Sequence, residues 1–264
     1  MIECDAVVVG AGPNGLVAAN ALADAGWDVV LVEAQQEVGG AVASAEVVSP
    51  GFVTDLFSAF YPLAAASPVI RDLHLEHHGL VWRRAPDVLA HALPDGRAAV
   101  LRGSAEDTAA DLEACAPRDG EAWLRMVRGW ERVRDPLLDA LFTPFPPVRP
   151  TARLLRRWGV AGTLDFTRLA LLSVRRLGEE EFSSEAARIL LSGNAMHSDL
   201  PPDGAGSALF GWLLAMLGQD VGFPVPQGGA GMLATALRRR VESLGVQVRC
   251  GEPVTAVEVA RGRA

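Results

Sequence analysis

The sequence predicts an α/β fold in which a parallel sheet carries a mostly α-helical insertion. Residues 5–10 and 28–33 are short runs rich in β-branched side chains, and residues 14–25 between them have a helical pattern. This strand–helix–strand unit has roughly the 30-residue length of a right-handed crossover between parallel strands. Helical patterns then dominate the middle of the chain. We therefore expect a first domain segment over 1–103, a helical insertion over 104–222, and a return to the first domain over 223–264.

In the first segment, Gly26 follows the predicted helix at the position where a left-handed residue commonly ends a helix. A second helix is expected to begin after Gly39-Gly40, and the stretch through Pro50-Gly51 is expected to be irregular. A short helix is predicted over Pro68–Leu75. Alternating apolar residues predict strands over 80–84, 86–93 and 97–102, the last two joined by a hairpin turn at Pro94-Asp95-Gly96.

The insertion begins with Ser104 and Asp107, which have the spacing of a capping box, and helical periodicity then runs to Ala116. Another helix is expected from Asp119 to the proline cluster at 144–150. Further helices are expected over 151–217, with breaks at Gly159, Gly178, Gly193 and Pro201-Pro202.

The last segment begins with a glycine-rich loop at 228–231 and a helix that ends at Gly245. Strands are predicted over Val246–Cys250 and Val254–Val259. Residues 261–264 are expected to start a hairpin turn whose return strand is not in the sequence.

Composition excludes several classes of function. The formal net charge of −8 argues against a nucleic-acid partner, because phosphate binding needs clustered positive charge. The sequence contains no lysine, which excludes Schiff-base chemistry and a P-loop lysine. Cys4, Cys115 and Cys250 are far apart and form no C-x-x-C pair, so neither a dithiol nor a zinc site is expected.

The same reasoning predicts a soluble, cytoplasmic protein with reduced cysteines. No signal-peptide pattern precedes the first strand. The longest uncharged apolar stretch, 205–218, is shorter than the ~20 residues that a transmembrane helix needs. It predicts a buried helix, or one in peripheral contact with a membrane.

Gly10, Gly12 and Gly15 form the pattern G-x-G-x-x-G between the first strand and the first helix, and Glu33 ends the second strand. Gly10 permits a tight turn, Gly12 lets a pyrophosphate approach the backbone, and Gly15 lets the helix lie close to the sheet. The N–H groups at the helix start favour phosphate charge. A carboxylate at Glu33 suits a ribose 2′-hydroxyl and disfavours NADP. The motif predicts a Rossmann-type domain for FAD or NAD.

Two stretches of the sequence carry a family resemblance. Residues 7–44, VVVGAGPNGLVAANALADAGWDVVLVEAQQEVGGAVAS, resemble the opening of FAD-dependent oxidoreductases of the phytoene desaturase and amine oxidase superfamily. Residues 224–248, PVPQGGAGMLATALRRRVESLGVQV, resemble the P-x-G-G segment, helix and strand by which that family returns to its cofactor domain. The helical middle of the chain matches the family only loosely.

The resemblance implies FAD as the cofactor. In that family a second glycine pair helps to hold the FAD diphosphate, and a valine near the end contacts the adenine through its backbone. The cofactor-binding residues expected here are Gly10, Gly12, Pro13, Asn14, Gly15, Glu33, Ala34, Gly39, Gly40, Ala41 and Val254. Many members have arginine where this sequence has Ala41, which implies a greater share for backbone donors.

The resemblance also implies an activity. Family members oxidise a C–C or C–N bond by hydride transfer to flavin N5, and an apolar small molecule is the expected substrate; oxygen, a quinone or another acceptor then takes the electrons. Because the flavin ring performs the redox chemistry, no catalytic side chain is assigned. Amine oxidation on the same scaffold is less favoured, since amine oxidases often use a lysine near the flavin.

Family members continue well beyond the length of this chain, so the resemblance implies a truncated chain or one half of a split enzyme. A third hypothesis is therefore a non-catalytic FAD-binding fragment that depends on a second chain to complete its sheet.

Other candidate residues favour ordinary structural roles. His74, His77 and His78 have no completing acidic or cysteine pattern, so no metal site is expected. His197, expected in a loop between helices, is a candidate for acid–base chemistry. Residues 209–217 with Trp212 predict a helix core, with a lipophilic tunnel or a bilayer contact as alternatives. Asp55 and Ser58 follow the glycine pair, but the match assigns them no role.

Overall fold

A computed structural model describes residues 3–259 of the chain. These residues divide into two compact units: residues up to Arg83 together with those from Pro224 onward form one, and Arg84–Phe223 form the other. The sequence pattern places the first boundary after residue 103. In the structure the boundary follows Arg83, and the hairpin at 87–102 belongs to the same unit as the helices. The turn expected at 261–264 lies outside the described residues.

The first unit is built on a three-stranded parallel sheet in the order β1-β2-β9. Its strands are β1 (Ala6–Val9), β2 (Val29–Glu33) and β9 (Gln247–Cys250). Helix α1 (Pro13–Asp24) connects β1 to β2, which confirms the predicted crossover. Gly26 follows α1 with φ +83°, as predicted for a left-handed residue at a helix end.

The helix expected after Gly39-Gly40 is wrong. The chain forms an antiparallel hairpin of β3 (Ser44–Ser49) and β4 (Phe52–Asp55), with Pro50-Gly51 at its turn. Valines and a phenylalanine favour extended backbone, and a Pro-Gly pair favours a turn. The glycine at the turn has φ +81°, which a residue with a Cβ rarely adopts.

The rest of the first unit contains short elements and one long helix. Helices α2 (Pro62–Ala66) and α3 (Pro68–Asp72) precede a 3₁₀ helix at Leu75–His78. Strand β5 (Trp82–Arg83) pairs antiparallel with β8 (Val225–Pro226). Helix α10 (Gly231–Ser243) follows the glycine-rich loop, as predicted.

Helices α1 and α10 pack together through a buried polar contact. Asn20 is fully buried, and its amide donates to the carbonyl oxygens of Leu16 and Leu237 at 2.9 and 3.1 Å. Its own oxygen accepts a 3.0 Å hydrogen bond from Arg240. Because each polar atom of Asn20 has a partner, these hydrogen bonds offset the cost of removing its side chain from water.

The second unit combines one hairpin with six helices. Strands β6 (Asp87–Ala92) and β7 (Ala98–Arg102) pair antiparallel around the predicted turn. Ser104 accepts a 3.0 Å hydrogen bond from the backbone N–H of Asp107, so the predicted N-cap is confirmed. The helices are α4 (Ala105–Cys115), α5 (Asp119–Phe142), α6 (Val148–Leu171), α7 (Val174–Glu181), α8 (Glu185–His197) and α9 (Ser207–Val221).

Two of the four predicted helix breaks are wrong. The backbone does leave helical geometry at Gly159, and Pro201-Pro202 separates α8 from α9. Gly178 and Gly193 instead lie inside helices α7 and α8. A Cβ on Gly193 would overlap the imidazole ring of His91, so glycine there serves close packing and not a turn.

The strand predicted over Val254–Val259 is also wrong, since residues 252–259 have no regular secondary structure. The N–H of Glu252 donates a 2.9 Å hydrogen bond to the carbonyl of Glu33, but the pairing of β9 with β2 ends at Cys250. An extended segment without a continuous hydrogen-bonded neighbour is not stable as a strand. Val257 and Val259 are 66% and 70% exposed.

The apolar segment at 209–217 lies inside α9 and forms part of the core of the second unit, as predicted. Leu214, Met216 and Leu217 are buried there. Among the described residues, none of the helices is both long enough and apolar enough to span a bilayer.

Candidate functional site

The loop between β1 and α1 is shaped by its glycines. Gly10 has φ +93°, and its N–H donates a 2.7 Å hydrogen bond to the carbonyl of Val32 on β2. A Cβ on Gly10 would meet no atom within 4 Å, so the backbone angle alone requires glycine there. The prediction of a tight turn at Gly10 is confirmed.

Gly15 allows helix α1 to approach the end of β1. A Cβ on Gly15 would overlap the carbonyl oxygen of Gly10 and come within 3.6 Å of Val8. The predicted close approach of helix and strand is therefore present at Gly15.

Gly12 differs from both, because the space beside it is open. Its φ of −68° suits any residue, and an added Cβ would meet no atom within 4 Å. Pro13 is the first residue of α1, and no side chain caps the helix. The first hydrogen bond of the helix joins the N–H of Leu16 to the carbonyl of Gly12, so the N–H groups of Asn14 and Gly15 precede that ladder.

The predicted second glycine pair lies against this loop. Gly39 donates a 2.8 Å hydrogen bond to the carbonyl of Ala11, and its φ of +124° is one that glycine readily adopts. A Cβ on Gly40 would lie 3.2 Å from the Cα of Gly12. The structure thus brings together two glycine segments that are far apart in sequence.

Glu33 points into the same loop from the end of β2. Its carboxylate accepts a 2.6 Å hydrogen bond from the N–H of Ala11 and a 2.9 Å bond from the N–H of Gln35. Each carboxylate oxygen has a further lone pair, so these bonds leave acceptor capacity for a hydroxyl. The side chain is held in place by backbone donors on both sides.

The remaining predicted site residues are more exposed. Asn14, Ala34 and Ala41 are exposed, with Asn14 in the first turn of α1 and Ala34 directly after β2. Val254 is 44% exposed and lies in the irregular segment after β9.

Ser58 and Tyr61 lie beside Ala41, and the sequence reasoning missed Tyr61. The hydroxyl of Ser58 donates to the carbonyl of Ala41 at 2.9 Å and lies 2.7 Å from the hydroxyl of Tyr61. Burial raises the pKa of Tyr61 above its ordinary value. The phenol therefore stays protonated at neutral pH and can act as a hydrogen-bond donor.

Asp55 and Ser44 have a structural role that the sequence did not indicate. Asp55 accepts hydrogen bonds from the N–H of Ala230 at 2.7 Å and from the hydroxyl of Ser44 at 2.6 Å. Ser44 in turn accepts a 2.8 Å bond from the N–H of Gly231. Both side chains thus satisfy backbone donors at the start of α10, where helices lack internal partners.

The loop has the chemistry of an anion site that suits a dinucleotide diphosphate. It combines open space beside Gly12, the positive end of the α1 dipole, and backbone close to a second glycine pair. Backbone without a Cβ next to open space is what close approach of a diphosphate requires. The residues present therefore fit the group that the motif predicts.

The histidines form no metal site. His74 has φ +48° and so does not share a regular helix with His78, and its ring stacks on His77 at 5.9 Å. Over residues 3–259 no cluster of three His, Cys, Asp or Glu could hold a metal ion. The prediction that His197 lies in a loop is wrong, because His197 is the last residue of α8.

The second unit has a cavity of about 500 Å³ between its helices. Trp158 and Phe166 stack there at 4.3 Å, and Trp212 also contributes to the wall. This size lies within the range of small-molecule sites.

Comparison with known proteins gives one family match. The model of the family described as "flavin containing amine oxidoreductase" matches residues 14–264. One subunit of the limonene dehydrogenase of Castellaniella defragrans is 36% identical over 137 residues, which are 52% of this chain and 24% of that protein. Hydroxyneurosporene desaturase of Cereibacter sphaeroides is 29% identical over 268 residues, which are 98% of this chain and 51% of that protein.

A solved structure shares the fold. Cyclohexylamine oxidase from Brevibacterium oxydans superposes with a TM-score of 0.56 at 17% identity, over 96% of this chain and 52% of that chain. The chain thus spans about half the length, or less, of these three proteins.

Proposed function

The chain belongs to the flavin-containing amine oxidoreductase family, and we propose that it is an FAD-dependent oxidoreductase that desaturates an apolar small molecule. Membership of this family confirms the predicted resemblance and the predicted flavin cofactor. The substrate and the cofactor-binding residues are the proposal.

The loop at 10–15 carries the proposal. We assign the FAD diphosphate to the open space beside Gly12, where the N–H groups of Asn14 and Gly15 donate to it. The backbone of Gly39 and Gly40 borders the same space. No lysine and no arginine is needed for this binding mode, which agrees with Ala41 in place of the arginine that many family members have.

Glu33 is assigned to the adenosine ribose, and the backbone of Val254 to the adenine. The free lone pairs of the Glu33 carboxylate support its assignment to the ribose, since a ribose hydroxyl can donate a hydrogen bond to them. Bound FAD would supply the redox chemistry as the acceptor of a hydride. The chain's own residues bind and orient it.

An apolar substrate is supported by two relatives. Their names refer to a dehydrogenase of limonene and a desaturase of hydroxyneurosporene, compounds made largely of hydrocarbon. The amine oxidase alternative rests on the shared fold and lacks the lysine expected near the flavin.

Substitution of Gly12 tests the diphosphate assignment. Gly12→Val should change the thermal unfolding of the FAD-free chain little, because a Cβ at this position meets no atom within 4 Å and the φ of −68° suits any residue. It should weaken FAD binding at least about tenfold, because the diphosphate would lose contact with the backbone donors. Titration with FAD, followed by flavin fluorescence, measures the FAD affinity of the variant and of the wild type.

Gly26→Ala is the matched control. It also adds a side chain in open space, but at the other end of α1, so it should lower stability without changing FAD affinity. Unchanged FAD binding in Gly12→Val would refute the assignment, and a wild-type chain that takes up no FAD would favour a non-catalytic fragment.

The substrate class is tested by anaerobic bleaching of the flavin. Saturated or partly saturated terpenes should bleach it, and primary amines should not. Bleaching by amines alone would replace desaturation with amine oxidation.

We further propose that another polypeptide covers one face of the sheet. β1 is an edge strand, and Val7 and Val9 on it are each 58% exposed. One of the relatives is itself part of a multi-chain enzyme by its name. A chain that binds FAD and turns over substrate as a monomer in light scattering would contradict this.

A further inference from the structure

Helix α6 exposes an apolar stripe. Val160, Leu164 and Leu171 are 81%, 65% and 69% exposed, and their spacing places them on one side of the helix. Val148, in the first turn, is 67% exposed. Gly159, where the backbone leaves helical geometry, separates Val160, Leu164 and Leu171 from the first part of α6, in which Pro150 and Leu154 are buried. Exposed apolar side chains therefore occur both before and after the kink.

The same segment is strongly cationic. Residues 145–171 contain five arginines and one acidic residue, in a chain whose formal net charge is −8. Arg149 and Arg156 lie two turns apart, are exposed, and form no ion pair with any described residue. Arg149 and Arg156 lie in the part of α6 before Gly159, together with the exposed Val148, and the apolar stripe lies in the part after it. Exposed apolar side chains together with unpaired arginines are typical of a segment that lies in a membrane interface.

A second exposed apolar surface of the chain lacks this charge. The β3–β4 hairpin exposes Val48 and Phe52 at 78% and 69%. Residues 44–58 contain no arginine and two acidic residues. An exposed apolar surface without charge suits contact with another polypeptide. The positive charge on α6 favours an anionic surface.

We propose that the outward side of α6, together with Phe145 before it, docks on an anionic phospholipid membrane. Phe145 is 94% exposed and would enter the acyl region with the apolar stripe, while Arg149 and Arg156 contact lipid phosphates. None of the described helices can span a bilayer, so this contact is peripheral. The site is distinct from the α9 segment that the sequence marked, which is buried in the core.

Vesicle binding tests the proposal. The chain should sediment with vesicles of phosphatidylcholine containing about 30 mol % phosphatidylglycerol, and should not sediment with pure phosphatidylcholine. Binding should be lost as the ionic strength rises to about 1 M, where the screening length falls to about 3 Å.

Two double variants separate charge from insertion. Arg149→Gln with Arg156→Gln should weaken partitioning about 25-fold, at about fivefold for each arginine near the surface. Val160→Ser with Leu164→Ser should weaken it about tenfold or more, because two apolar side chains no longer enter the lipid. All four side chains are exposed, so circular dichroism and thermal unfolding should match the wild type.

Matched controls come from the other surfaces. Val48→Ser with Phe52→Ser removes a comparable exposed apolar area, and Arg71→Gln with Arg97→Gln removes the same charge. Neither pair should change vesicle binding by more than about twofold. If these control variants lost as much vesicle binding as the α6 variants, the proposal would be overturned.

Two further outcomes would overturn it. One is equal binding to neutral and anionic vesicles, and the other is an absence of binding to both. Dimerisation in light scattering that Val160→Ser with Leu164→Ser abolishes, without vesicle binding, would show that a second copy covers the stripe.

Discussion

The backbone N–H of Ala11 donates a 2.6 Å hydrogen bond to the carboxylate of Glu33. This bond ties the first glycine loop to the end of β2, 22 residues further along the chain. The other carboxylate oxygen accepts from the N–H of Gln35. Two backbone donors therefore fix the carboxylate before any ligand arrives, which is the preorganisation that binding sites need.

Glu33→Gln should lower both the stability of the chain and its affinity for FAD. An amide has one acceptor oxygen, so one of the two backbone donors would face an NH₂ group. We expect the free energy of unfolding to fall by about 1 kcal/mol and FAD affinity to fall about tenfold. Chemical denaturation and FAD titration measure these effects. Glu37→Gln, at an exposed neighbour, should change neither. A glutamine variant with wild-type affinity would remove Glu33 from the site.

Gly15→Ala should destabilise the chain even without FAD. The added methyl group would overlap the carbonyl oxygen of Gly10, so helix α1 must move away from the sheet. Overpacking of this kind costs about 1–3 kcal/mol. Gly12→Ala adds the same group in the same loop but in open space, and should cost less than about 0.5 kcal/mol. Equal stability of the two variants in denaturant would contradict the packing described.

Asp55→Ala should loosen the start of α10. Asp55 accepts from the N–H of Ala230 and from the hydroxyl of Ser44, and charge-assisted bonds of this kind contribute about 1.5–3 kcal/mol. Asp55→Asn keeps an acceptor oxygen and should cost less than half as much. Thermal unfolding of the three proteins gives the comparison. If asparagine destabilised as much as alanine, the carboxylate charge and not the acceptor would be the important feature.

Features that depend on nearby residues could be predicted from the sequence, and features that depend on distant ones could not. The crossover and the roles of Gly10 and Gly15 follow from spacing within one short segment. The capping role of Asp55 depends on Ala230, which is 175 residues away, so no local sequence pattern predicts it.

The same distinction explains the misread glycines. Gly193 packs against His91 and Gly178 against Arg188, so both are required by tertiary contacts inside helices. A glycine that permits a turn and one that permits close packing look alike in sequence. The hairpin at 44–55 was missed for a related reason, since its valines follow a glycine pair that resembled a helix start.

His91 should make the second unit less stable in mild acid. Its Nε2 atom is buried and has no hydrogen-bond partner in the described part of the chain, and its ring lies against Gly193. Burial lowers the pKa of His91 below its ordinary value of 6.5. As the pH falls through about 6.5, the unfolded chain binds a proton that the folded chain does not, so the free energy of unfolding falls until the lowered pKa is reached.

The variant His91→Gln isolates this effect, because glutamine does not titrate. Between about pH 7 and pH 5.5 its stability should decline less steeply than that of the wild type, whatever the absolute stability of each. Between about pH 7.5 and 8.5, where His91 is neutral in both states, the two slopes should agree. Denaturant unfolding at each pH supplies the slopes. Parallel slopes in the acidic range would mean that the folded chain binds the proton at His91 as readily as the unfolded chain does.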